Sequence, residues 1–408
     1  MLAPHSFGSK ELQLFNSDQP AQHILAQQEE MTSHSDQTCQ AEAGLSATLP
    51  FPVYIRGIGV LGGFGTGVHD LRKALEEDRA AKTSLTSHLL NNAQNDLPVV
   101  TADTSALGRY LSRKVLRRID HYSRMAVLGA FLALEDAGIL DQPRERIGIV
   151  IATSYGASAT TFSFLDSVIN DGDACASPTY FSNSVHNAAA AHISILMNIT
   201  GPSLTVSQFE LSVSSGLITA RQWLLEGRVD RVLFGAVDEY CALRGYSWLR
   251  LCVPDSEESS GNFANDEQMS VMGEGAAFFL LSSQKTADDY GCITDIQQGK
   301  WNECSLSLSG PPPLILNSDS ELNCKSNDDL IPGQSSQGAA HANIFGGLPT
   351  SQAFDLAVAG LTIQQGQLFP CSEVPGTSIA ENRMQQDPRI VCLKIGKGGD
   401  FGAVTLVA

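Results

Sequence analysis

Apolar residues along this chain fall into short continuous runs, separated by stretches with a helical period. Val53–Val60, Arg146–Thr153 (RIGIVIAT), Arg231–Gly235 and Gly275–Leu281 (GAAFFLL) show little polar alternation, which predicts strands covered on both faces. Tyr122–Gly138 (YSRMAVLGAFLALEDAG) has apolar residues at helical spacing and ends on glycine, as helix C-termini do. Ser214–Gly227 and Ser351–Gln364 read as further helices, Leu204–Ser207 as a short strand, and Val391–Ala408 as a closing hairpin. Strands alternating with helices predict an α/β fold with helix-covered sheets.

Residues 1–50 are rich in Gln, Ser, Ala and Glu with little periodicity, so a flexible N-terminal tail is expected there. The folded body is expected from Pro52, as an N-terminal half over 51–285 and a shorter C-terminal half over 286–408. Within the latter, 295–345 carries three consecutive prolines at 311–313 and long polar stretches.

Charge narrows the functions. The 408 residues carry a formal net charge of −18, which argues against nucleic acid, because phosphate contacts need clustered Lys and Arg. The same acidity argues against a basic docking face on this chain. The nine cysteines form no C-x-x-C pair, so no metal site is expected, and reduced thiols in a cytoplasmic setting are. No apolar run reaches about 18 residues, and no basic stretch precedes an apolar one at the N-terminus. Neither a membrane span nor a signal peptide is expected.

Two stretches invite chemistry. Gly57, Gly59 and Gly62 match G-x-G-x-x-G after a strand, but the next helix begins only near Val68, so a tight turn is expected rather than a dinucleotide site. The second is Gly201–Gly216 (GPSLTVSQFELSVSSG), which reads as strand, sharp turn and helix. Such an elbow presents a side chain at a helix N-terminus, where the dipole favours negative charge and a Cys nucleophile would be activated. Here the chain carries Glu210, a poor nucleophile toward a thioester.

Taken with GRVDRVLFGAVDE, VMGEGAAFFLL, VYIRGIG, RIDHYSR, the Phe181–Ser194 segment containing His192, and GKGGDFG, this elbow resembles the ketosynthase family of the thiolase superfamily. The resemblance covers about residues 53–408. It implies a thiolase-like fold: two related βα halves in a five-layer α/β/α/β/α arrangement, paired through strands beside the elbow. The implied chemistry is decarboxylative condensation of acyl chains on the phosphopantetheine arm of a carrier protein, using one Cys and two His. A gapless count puts Glu210 at the Cys position, with no Cys between Cys175 and Cys241. The histidine positions fall on Asn317 and Gly346, and Lys397 stands where catalytic members usually have an aromatic gate. His341, where the family often has Lys, is expected to be a polar loop residue, and His192 a partly buried structural one. The segment from Ile296 to Leu314 is too short for the family's extra helix there.

The resemblance therefore implies a dead subunit like the chain-length factors of type II polyketide synthases, which pair with an active ketosynthase and shape the tunnel for a growing poly-β-ketone or polyene. Those factors commonly carry Gln at the Cys position, so Glu210 is a departure. By position, the tunnel residues would be Thr160, Phe162, Ser163, Phe164 and Ser167. The dimer interface would be Leu204, Thr205, Val206 and Ser207. No catalytic residue, metal or cofactor of its own is expected, the phosphopantetheine belonging to the carrier protein. The expected partners are an active ketosynthase and an acyl carrier protein. A decarboxylase-type homologue and a carrier-binding scaffold homodimer are the alternatives.

Overall fold

The computed structural model describes residues 51–90, 93–252, 271–300, 314–317, 337–370, 389–396 and 398–408; the expected tail and Lys397 lie outside them. Two five-stranded sets share one connectivity. In the first, β1 (Val53–Gly62), β9 (Gly275–Ser282), β7 (Arg231–Asp238), β5 (Ile147–Thr153) and β6 (Ser203–Ser207) lie side by side in that order. The first two pairings are antiparallel and the last two parallel. In the second, β10 (Cys292–Lys300), β14 (Asp400–Val407), β13 (Arg389–Ile395), β11 (Leu314–Leu316) and β12 (Gln337–Ala339) repeat the same order and senses. The sets join where Val53 and Tyr54 pair Ile293 and Cys292. A two-residue β2 (Gly65–Thr66) folds back on β1.

Side-chain alternation sorts the faces. Along β5, Ile147, Ile149 and Ile151 pack outward, against α3 (His121–Asp136) and α6 (Ala188–Met197). Val150 and Ala152 face inward, toward α7 (Ser212–Leu225). Here α7 follows β6 as α10 (Gln352–Gln365) follows β12, and both helices lie between the sheets. Side-chain amides fasten this middle layer, Gln298 at an exposed position and Gln352 at a buried one. Gln298 Nε2 donates to Ser214 and Ser215 Oγ at 2.7 and 2.8 Å, and Gln352 Nε2 to the Cys392 and Gly402 carbonyls at 2.9 and 2.7 Å. Every residue from Gln352 to Thr362 is buried. On the far face of the C-terminal sheet, Ile315, Val391, Leu393 and Phe401 form a buried cluster that no helix among the described residues covers. Four of the five expected layers are thus in place, and an outer layer on that side falls outside the described residues.

Gly57 and Gly59 are not turn residues. They lie inside β1, where a Cβ would meet the Ala133 and Gly129 carbonyls of α3 at 2.5 and 2.1 Å. Only glycine lets that helix lie directly on the strand. The turn itself is Gly63–Phe64, between Gly62 and Gly65, which pair across the β1–β2 hairpin ahead of α1 (Val68–Glu76). A satellite sheet of β3 (Ser84–Leu90), β4 (Ala93–Val100) and β8 (Met272–Gly273), with α8 (Ala242–Cys252) beside β3, was not foreseen. The remaining α-helices among the described residues are α2 (Arg113–Leu116), α4 (Ser158–Asp171), α5 (Pro178–Asn183) and α9 (Ala342–Phe345). No helix among the described residues is long and apolar enough to cross a membrane.

Candidate functional site

The elbow after β6 is a single 3-10 turn, Phe209–Leu211, leading into α7. Serines hold it. Ser212 Oγ accepts from the Gln208 amide at 2.8 Å and lies 2.7 Å from the Phe209 carbonyl. That carbonyl also accepts from Ser154 Oγ at 3.0 Å, and Ser207 Oγ donates to the Ser154 carbonyl at 3.1 Å. Phe209 sits at φ 45°, a left-handed conformation unusual for an aromatic residue. Glu210 is half-buried, and its Oε2 comes within 3.3 Å of where a Gly396 Cβ would stand. The structure therefore brings the elbow and the C-terminal glycine loop together.

The two positions expected to correspond to the family's histidines are held by their backbones. Gly346 has φ 79° and ψ 165°, and a Cβ there would lie 2.7 Å from Gly273 Cα. Backbone bonds lock that contact: the Gly273 amide donates to the Gly347 carbonyl at 3.0 Å, and the Gly347 amide to Val271 at 2.7 Å. No side chain fits, histidine included. The Asn317 amide donates to the Ala339 carbonyl at 3.1 Å, extending the β11–β12 pairing by one bond.

His341 is not a polar loop residue. It is buried just ahead of α9, and burial pulls its imidazole down to about 4, so it is neutral at pH 7. His192 is half-buried, hydrogen-bonded to Asn183 Oδ1 at 3.0 Å and pushed down by burial, as a structural histidine should be. The buried cation near this place is Lys394, whose Nζ reaches the Leu348 carbonyl at 3.2 Å and Ser351 Oγ at 3.1 Å.

Beneath the elbow is an acidic framework that the sequence reading missed. Buried Asp238 accepts from Thr153 Oγ1, the Ser154 amide and the Tyr155 amide at 3.0, 2.9 and 3.2 Å through Oδ1. Its Oδ2 accepts from Thr350 Oγ1 at 2.9 Å, tying the ends of β5 and β7 to the loop before α10. Neighbouring Glu239 accepts from the Ala159 amide at 2.8 Å, in the first turn of α4, which has no side-chain cap of its own. Burial, with Asp120 and Glu274 adding to it, pushes Glu239 up to about 7 despite that bond and nearby His121. Glu274 is buried too, but its bonds to His121 Nε2 (2.8 Å) and the Ala102 and Tyr240 amides (both 3.0 Å) outweigh burial and hold it low. The same ion pair raises His121.

Of the five expected tunnel residues only Thr160 is buried. Phe162 and Ser163 are exposed; Phe164 and Ser167 are half-buried, with the Phe164 ring 5.4 Å from Phe181 on α5. Strand β6, carrying the four expected interface residues, pairs β5 on one side and is the outermost strand, with Leu204 and Ser207 exposed. Phe162, Leu165 and Ile169 of α4, Phe181 and Val185 beside it, and Phe209 are also exposed.

The expectation that an acidic chain lacks a basic face does not hold, because net charge is a sum and says nothing of position. Between Thr104 and Ile119 there is no acid, while Arg109, Arg113, Lys114, Arg117 and Arg118 are all exposed and none is ion-paired among the described residues. Asn183 Nδ2 of α5 donates to the Arg118 carbonyl at 3.0 Å, so this patch adjoins the apolar face.

Residues 51–287 match the family described as "Beta-ketoacyl synthase, N-terminal domain", more than half of the chain. The chain belongs to the beta-ketoacyl synthase family. Among relatives of the chain, Nodulation protein E of Rhizobium sp. (strain N33) is 27% identical over 59% of the chain, a match that spans 60% of that relative's length. Two solved structures superpose on nearly the whole ketosynthase fold. "The ishigamide ketosynthase/chain length factor" gives a TM-score of 0.67 at 18% identity, over 87% of this chain and 98% of that one. "AntDE:AntF (apo): type II PKS acyl-carrier protein in complex with its ketosynthase bound to the hexaketide" gives 0.68 at 15% identity, over 88% and 100%. The fold is thiolase-like, as the motifs imply.

Proposed function

We propose that this chain is a non-catalytic, chain-length-determining subunit that pairs with an active ketosynthase and helps to shape the tunnel for a malonyl-derived poly-β-ketone or polyene. One observation supports this reading: Gly346, where the motif count puts a catalytic histidine, is closed backbone to backbone against Gly273, and the same count puts Glu210 at the nucleophile position. Neither condensation nor histidine-assisted decarboxylation has its machinery here. What is retained is what a partner would use. The bare edge of β6 and the apolar residues around it suit a second ketosynthase-fold subunit. The exposed wall of α4 is then completed by that subunit. The basic patch from Arg109 to Arg118 suits an acidic acyl carrier protein, which brings its own phosphopantetheine arm. The setting is cytoplasmic, and the chain needs no metal or cofactor of its own.

The test is reconstitution with malonyl-loaded carrier protein. The chain alone should give no product and no acyl adduct by intact mass. Co-expressed with an active ketosynthase, it should co-purify and support polyketide formation. An acyl adduct on the isolated chain would refute the proposal.

A further inference from the structure

We propose that Phe209 is the anchor by which this chain holds a second ketosynthase-fold subunit against the free edge of β6. This deepens the pairing proposed above and rests on it.

The argument begins with the backbone. Phe209 is a non-glycine residue at φ 45°. Such conformations persist only where the surroundings impose them, and they gather at functional sites. Here the surroundings do impose it. Ser154 and Ser212 hydroxyls converge on the Phe209 carbonyl, and the Gln208 amide is bound to Ser212 as well. None of these bonds involves the ring.

The ring itself gains little within the chain. It is 55% exposed, and its aromatic neighbour is Tyr155, edge-on at 5.7 Å. Tyr155 is in turn braced by the Arg244 guanidinium, 5.1 Å over its ring, with Arg244 donating to the Glu239 carbonyl. A strained backbone thus holds an aromatic side chain out toward solvent on a fixed platform. Aromatic residues held rigidly in this way dominate protein interfaces when a partner desolvates them.

The position says what the partner is. Phe209 lies two residues beyond β6, whose outer edge has no strand partner among the described residues and which exposes Leu204. A bare edge leaves N–H and C=O groups that a cover must satisfy. A strand of a partner satisfies this edge most completely and buries Phe209 beside it. A second subunit of the same fold brings a strand in the equivalent place.

The test compares assembly with stability, because a core residue and an anchor move them differently. Phe209→Asn is chosen because asparagine tolerates the left-handed region. In the complex with an active ketosynthase subunit, measured by sedimentation over a dilution series, it should raise the dissociation constant by about tenfold or more. The melting temperature of the unpaired chain should not fall. Phe209→Tyr should keep the affinity within about threefold of the parent. If Phe209→Asn leaves the dissociation constant unchanged while Leu204→Asp breaks the complex, the pairing stands and Phe209 is not its anchor. A marked fall in the unpaired chain's melting temperature would make Phe209 a folding residue instead. Should the parent chain pair with no ketosynthase, the pairing and its anchor fall together.

Discussion

Gly273 and Gly346 stand back to back: a Cβ on Gly346 would lie 2.7 Å from the Gly273 Cα and 2.9 Å from its amide nitrogen. The main chain itself therefore leaves no room for a side chain at position 346. Gly346→His should cost about 3 kcal/mol or more in chemical denaturation, because φ 79°, ψ 165° is nearly glycine-only and the space is filled. Glu210→Cys alone should restore no condensation, read as product mass with malonyl-loaded carrier.

Glu210→Gln should leave the paired complex active, since the carboxylate has no chemistry to perform there. Loss of its charge at the start of α7 should lower stability by about 1 kcal/mol or less. Normal assembly with abolished product formation would mean that Glu210 acts directly.

Glu239 makes stability depend on pH. Its folded value, about 7, lies above its ordinary value of 4.5, so the folded state binds the extra proton between the two. That contribution is full below about 4.5 and is lost as pH rises through 7. It amounts to roughly 3 kcal/mol as an order of magnitude. Glu239→Gln keeps an acceptor for the Ala159 amide and removes the titration. It should match the parent near pH 5 and exceed it in denaturation midpoint near pH 8. Parallel pH profiles would show that Glu239 does not titrate in this range.

Chain length should respond to bulk on α4. Ser163 is exposed in the lone chain, so Ser163→Phe should fold normally. Overpacking a completed tunnel wall costs about 1–3 kcal/mol, enough to disfavour the last extension by roughly one to two orders of magnitude. Thr160→Trp tests the buried end of the same face. Both should shift products of the reconstituted pair to fewer units. Unchanged product length in intact complexes would place the tunnel elsewhere.

Reversal of Arg113 and Arg117 to Glu should weaken carrier-protein association by about tenfold at low salt, with the difference shrinking as ionic strength rises. Titration calorimetry at two salt concentrations checks this. Equal affinity in parent and variant would remove the patch from docking.

Much of the fold could be read from letters, because buried strands and long helices leave local signals. The apolar run of β5, the helix α3 ending near Gly138 and the elbow before α7 all lie where periodicity puts them. What failed was whatever depends on distant neighbours. Gly57 and Gly59 look like turn residues, since the demand of a helix pressing on a strand leaves the same letter as a turn. His341 reads as polar until tertiary packing buries it. Asp238 and Glu239 belong to an ordinary-looking acidic pair, and only the fold sets their carboxylates against α4 and Thr350. The basic patch was hidden by the sum of charges.

The shared middle layer also sets an order of events during synthesis. Phe354 of α10 packs edge-on against Phe64 with ring centroids 6.3 Å apart, and Gly360 lies against Ile58 of β1. The first strand thus completes its core with a helix made about 300 residues later. At ribosomal speeds of 5–20 residues per second, the inner face of β1 waits roughly 15–60 s for α10. Until then the part of the inner face around β1 that α7 does not reach lacks its cover. Truncation before Gln352 should therefore leave a half that aggregates rather than one that folds.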